Sequence, residues 1–124
     1  MIRGVFVSNP PNLPFVQLVV AWGQSVVTPY FLLDTGFSGD LKVSRKTAEE
    51  LGLSPSGIEK VTIANGVAIP TPIAVGYVSM EGAKSPVTIL ISDGLQLVGI
   101  GLLTKFGYKA TVDCKHRTVE LEKV

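Results

Sequence analysis

The sequence predicts a mainly β protein with two short helices, and three observations predict it. Short runs of β-branched and aromatic residues recur from Val5 to Leu121. Turn signals separate them, among them Gly23-Gln24, Asn65-Gly66 and Glu81-Gly82. Only two stretches read as helix, and each stops at a glycine, Gly52 and Gly107. The count is about ten strands, which places the chain in the mainly β class.

In order, Val5-Phe6-Val7 opens a strand that the breaker cluster Ser8-Asn9-Pro10-Pro11-Asn12 closes. Phe15 to Trp22 and Ser25 to Leu33 form a hairpin about Gly23-Gln24, with Pro29 marking an edge or bulge because it has no N–H to give a ladder. Leu41-Lys42-Val43 is a short strand. Ser44 stands at a helix N-cap, ahead of a helix of about two turns from Arg45 to Leu51 that turns Ala48, Leu51 and Leu53 inward. Ile58 to Ala64 and Val67 to Val78 pair through Asn65-Gly66, as a mobile lid or as an ordinary hairpin. Val75 to Met80 pairs with Val87 to Ile91. The segment Leu97-Val98-Gly99 reads as a buried strand whose glycine admits another backbone, and Leu102 to Phe106 as a short helix. Tyr108 to Asp113 and Arg117 to Glu122 close the chain as a hairpin.

At 124 residues one domain is expected, covering 1–124. Apolar residues make up 46% and charged ones 17%, a low charge density that points to apolar surface covered by self-association. The net charge of +1 is scattered, so neither nucleic acid nor an anionic membrane is indicated as a partner. The longest apolar stretch, Leu13 to Trp22, is broken by Pro14 and Gln17 and is shorter than the roughly 20 residues of a membrane span. Met1-Ile2-Arg3-Gly4 runs into a strand without a signal-like segment, and Cys114 is the only cysteine, so a reducing, cytoplasmic setting is expected. Cys114 reads as a small buried hydrophobe and His116 as part of an exposed turn. With so few ligand types, no metal site and no cofactor are expected.

Chemistry concentrates in Phe31-Leu32-Leu33-Asp34-Thr35-Gly36-Phe37-Ser38-Gly39. An apolar strand running straight into a carboxylate sets Asp34 at the rim of a dry interior, where a catalytic acid can be made. Gly36 and Gly39 give the turn freedom, and Thr35 and Ser38 offer hydroxyls. An ordinary turn, with Asp34 bonding its own backbone, fits the same letters. Asp40, Asp93 and Asp113 read as turn or surface residues.

Leu32-Leu33-Asp34-Thr35-Gly36, Leu51-Gly52-Leu53 after a capped helix, Ala64-Asn65-Gly66 at a hairpin tip, and Leu97-Val98-Gly99 follow one another in an order and spacing that resemble the retropepsin-like aspartic proteases. Asp34-Thr35-Gly36-Phe37 is most similar to the small prokaryotic members with an Asp-Thr-Gly-Phe signature. The resemblance implies a closed acid-protease-type β-barrel with Asp34 catalytic, Thr35 and Gly36 bracing its loop, and the 61–72 hairpin as a flap. It also implies that 97–99 packs beneath the loop. One copy of the triplet per chain implies a homodimer, because the chemistry takes two carboxyls. Phe37, Ser38, Gly39, Ile63, Ala64, Asn65, Gly66 and Val98 are the candidate substrate-binding residues for a peptide or unfolded protein. The apolar ones, with Val67 and Ile69, predict apolar side chains beside the cut. Phe37 is large where other relatives are small, and Gly101 replaces a residue that is often polar. An inactive peptide-binding or assembly module is therefore the competing expectation.

Overall fold

The computed structural model describes residues 1–7 and 12–124, so all of the breaker cluster at 8–12 except Asn12 lies outside the described residues. The elements run β1 (Ile2–Arg3), β2 (Val5–Val7), β3 (Leu13–Gln17), β4 (Val19–Trp22), β5 (Ser25–Val27), β6 (Tyr30–Leu33), β7 (Leu41–Val43), α1 (Arg45–Leu51) and β8 (Gly57–Thr62). They continue with β9 (Ala68–Met80), β10 (Ala83–Ile91), β11 (Leu97–Val98), α2 (Ile100–Phe106), β12 (Tyr108–Asp113) and β13 (Thr118–Lys123). The class is the mainly β one that the sequence predicts.

One sheet has the order β2-β3-β6-β11-β7-β10-β9-β4-β5, with β8 added to β9, and a smaller sheet has the order β1-β13-β12. Each of the two long strands expected at 15–22 and 25–33 is split in two. Pro29 has no N–H, and its carbonyl instead accepts from Leu18 N at 3.2 Å. The chain thereby changes partners, β3 pairing with β2 and β6 while β4 pairs with β5 and β9. The larger sheet wraps a core that includes Val16, Val20, Phe31, Leu41, Val43, Ile89, Leu102 and Leu121, all fully buried. Burying one such leucine or phenylalanine contributes about 2–3 kcal/mol.

Helix α1 forms for local reasons. Ser44 Oγ accepts from Thr47 N at 3.2 Å, and Gly52 stops the helix in the left-handed region at φ 70°. Its buried side is Thr47, Ala48 and Leu51. Helix α2 starts at Ile100, two residues earlier than expected, and Gly99 supplies no side-chain cap. Among the described residues no helix is long and apolar enough to cross a membrane.

The hairpin of β8 and β9 closes through Ile63 N donating to Val67 O at 3.0 Å, with Asn65 Oδ1 accepting from Val67 N and Gly66 at φ 83°. Residues 63 and 67 are a bonded pair, so alternation makes Lys60↔Pro70 and Ile58↔Pro72 non-bonded pairs. Pro70 and Pro72 therefore turn their nitrogens away from β8, towards the outer rim of β9. Cys114 differs from expectation: it is exposed, on the turn between β12 and β13. A tight bend held by Asp113, whose Oδ1 accepts from Lys115 N and His116 N, leaves its side chain no interior to enter.

Candidate active site

Asp34 stands directly after β6. Leu33 pairs in parallel with Val98 of β11, and Asp34 N donates to Val98 O at 3.0 Å, so the carboxylate is delivered by a strand locked into the core. Asp34 is half-buried while Thr35 and Gly36 are exposed. Asp34 Oδ1 accepts from Gly36 N at 2.9 Å, and Asp34 O accepts from Phe37 N at 3.1 Å. These two bonds fix the turn and aim the carboxyl. The first is also the bond that an aspartate in an ordinary turn makes.

The rest of the loop lies on the start of α2. Gly99 N donates to Asp40 O, Ile100 N to Phe37 O and Gly101 N to Gly39 O, at 2.9–3.0 Å. The loop's carbonyls thus satisfy N–H groups that a helix start leaves unpaired. A Cβ on Gly99 would stand 2.3 Å from Gly39 O and 2.5 Å from Phe37 O, so glycine is the residue that permits this contact. The segment 97–99 packs under the loop. Val98 itself is fully buried between β6 and β7, which makes it part of the loop's floor; the sequence places it among substrate-binding residues, but its side chain has no open face.

Phe37 is half-buried, and its ring lies over Gly39 and Gly99, within 2.7 Å of where either Cβ would be. Two residues without side chains, Gly39 and Gly99, thus make room for one large ring. Gly101 has a similar cause: a Cβ there would meet Asp40 Oδ1 at 2.6 Å and Ser38 O at 2.8 Å. The polar group beneath the loop comes from Asp40 instead.

Asp40 corrects a sequence expectation. It is buried rather than a turn or surface residue, and its Oδ2 accepts from Lys105 Nζ at 2.6 Å and from Thr88 N at 3.0 Å. One carboxylate thereby ties the loop to α2 and β10. Neither Asp40 nor Lys105 is conspicuous in the sequence; the only signal is that Gly101 and Lys105, four apart, share a face of α2.

Between the loop and the hairpin lies a cavity of about 590 Å³, lined by Phe37, Ser38 and Gly39 on one side and by Glu59 to Thr62 of β8 on the other. The hairpin tip at Ile63, Ala64, Asn65 and Gly66 is exposed and does not line it. A second groove of about 470 Å³ adjoins Thr35 and runs along Ile100, Leu103, Tyr108 and Ala110.

Two solved structures share this architecture. EIAV protease, solved as a complex with the inhibitor HBY-793, superposes with a TM-score of 0.64 at 15% identity, over 84% of this chain and 97% of that one. A retropepsin-like aspartic protease from Rickettsia conorii superposes with a TM-score of 0.63 at 16% identity, over 98% of this chain and 89% of that one. The fold is thus the retropepsin-like acid-protease fold. No curated protein matches the chain. Residues 17–105, which contain β6, the Asp34 loop, the hairpin and β11, match the family described as "Aspartyl protease". The chain belongs to the aspartyl protease family.

Proposed function

We propose that the protein is an aspartic endopeptidase in which Asp34 of one copy meets Asp34 of a second, and the pair activates a water to hydrolyse a peptide bond. The observation that carries this is Asp34 itself, fixed at its main chain by Val98 O and at its carboxyl by Gly36 N, on a loop whose next two residues are exposed. The sequence holds the Asp-Thr-Gly triplet once, so a second carboxyl of this kind must come from another copy. The groove beside Thr35, with Ile100 42% exposed, supplies apolar surface for that copy to cover.

Two carboxyls held about 3 Å apart do not both ionise, and between their two macroscopic titration steps the pair is one acid and one base. The carboxylate takes a proton from water as its oxygen attacks the scissile carbon. The protonated partner donates to the carbonyl oxygen, and the amide nitrogen receives a proton as the C–N bond breaks. Peptide would lie along the free rim of β8 as an added strand, with the hairpin tip at 63–66 closing over it. Thr35 and Gly36 brace the loop, and Phe37, Ser38 and Gly39 face the bound chain. Residues 1–124 act as one domain in this reading. The Asp-Thr-Gly-Phe signature, alongside the likeness to the Rickettsia conorii protein, supports a place among the small prokaryotic members. Cytoplasmic residence rests on Cys114 as a lone free thiol.

The bond from Gly36 N to Asp34 Oδ1 favours one competing reading, a peptide-binding module without turnover. Cleavage of casein between about pH 4 and 7, where a dyad holds one proton, separates the two. Endopeptidase action requires specific activity to rise with protein concentration as dimers form, and to fall at least about a thousandfold in Asp34→Asn. Cleavage that survives in Asp34→Asn, or none by a dimer shown by sedimentation, rejects it.

A further inference from the structure

The cavity between the loop and β8 does not have the apolar lining that the sequence suggests for substrate contacts. Val61 and Leu90 give it apolar wall, but Asp40, Ser38, Thr88 and Lys105 also line it, as do the exposed and oppositely charged Glu59 and Lys60 of β8. The Asp40 carboxylate, with its side chain 10% exposed, is already engaged by Thr88 N and Lys105 Nζ. Lys105 is 43% exposed, and an ammonium carries three N–H donors, of which Asp40 takes one. The wall therefore holds a fixed cation whose charge is partly balanced and whose remaining donors are open to a ligand.

A substrate that fills the cavity takes the place of solvent at these donors. A leucine-like side chain would leave the donors of Lys105 without acceptors, and a lysine or arginine that reached them would set cation against cation. An alkyl stem ending in a carbonyl oxygen satisfies both surfaces, the stem against Val61 and Leu90 and the oxygen on Lys105 Nζ. We infer that this cavity is a substrate subsite selecting glutamate or glutamine, with Lys105 as its specificity-determining residue and Asp40 as the group that holds Lys105 in position. The inference rests on the proposed peptide path along β8 and departs from the apolar preference.

The test reads binding apart from turnover. A randomised peptide library is passed over immobilised Asp34→Asn protein, and the retained peptides are sequenced. Glu and Gln should be enriched about tenfold at one position of a common extended motif, as an interaction with a charged donor implies. The enrichment should vanish when Lys105→Met is added. Because Lys105→Met strips Asp40 of its cation, the Asp40→Asn/Lys105→Met pair is run beside it, with folding checked by circular dichroism; it too should lose the preference. Glu enriched without Gln, or the reverse, supports the subsite and tells which oxygen it takes. Retained peptides with apolar residues at every position, unchanged enrichment without Lys105, or no retention overturns the subsite. Cleavage of the same library by the unsubstituted protein is scored separately: enrichment without cleavage leaves the subsite standing and rejects the proteolytic reading.

Discussion

Replacing Gly99 with alanine tests how the active loop is held. The backbone at Gly99 is extended, φ −111° and ψ 178°, so alanine adopts it without strain and the effect is one of space. The new methyl would stand 2.3 Å from Gly39 O and 2.5 Å from Phe37 O, against the 3.4 Å at which ordinary contact begins. The ring of Phe37 can swing aside, but the two carbonyls belong to the loop, which must retreat by about 1 Å. Retreat weakens the bonds from Ile100 N to Phe37 O and from Gly101 N to Gly39 O, at about 1 kcal/mol each, on top of the overpacking itself. A loss of about 3 kcal/mol follows. For a chain of 124 residues the unfolding entropy is about 0.26 kcal/mol/K, so the melting temperature should fall by about 12 °C. The assay is a calorimetric melt at a fixed protein concentration, since dimerisation makes the midpoint depend on it. Because Asp34 N hangs from the neighbouring Val98 O, casein cleavage should fall as well. A melting temperature within about 2 °C of the parent, with cleavage unchanged, would refute the close-packed account of this loop.

Asp40→Ala leaves Thr88 N without its acceptor and should cost about 2 kcal/mol in urea unfolding, whereas Asp40→Asn, which keeps an oxygen there, should recover about half. Ser44→Ala removes the acceptor for Thr47 N and should lower stability by about 1 kcal/mol, or about 4 °C in a melt; an unchanged midpoint would deny the cap its role. Burial, and then the bond to Glu81, raise the Tyr108 phenol to about 12, above its ordinary value of 10. The folded state thus holds this proton more tightly than the unfolded chain, so the contribution is complete below about pH 10 and is lost as pH rises through about 12. Urea titrations across that window should show a shallower decline for Tyr108→Phe than for the parent.

What the sequence discloses is what neighbours in the chain decide. Ser44 and Gly52 bound α1 through contacts a few residues long, and Asn65-Gly66 forces a turn whatever surrounds it. The path of the loop over 97–99 is legible for a related reason: a buried strand broken by Gly99 announces that a backbone must come close. Pro29 discloses an interruption but not its result, because the exchange of partners between β3 and β4 depends on where β9 lies. Asp40 and Lys105 are hidden for the same kind of reason. Nothing in a lone aspartate after Ser-Gly says that a lysine on a later helix will reach it. Val98 misleads because an apolar residue next to a catalytic loop can face either the ligand or the floor, and only the pairing with both Leu33 and Leu41 decides.

Pro70 and Pro72 have a bearing on how copies of the molecule can assemble. With two successive outward positions of β9 stripped of donors, a second hairpin finds no ladder to zip on to along that side. Open-ended stacking of hairpins into fibres is barred there, and the pairable rim that remains on this hairpin is left to an incoming extended chain.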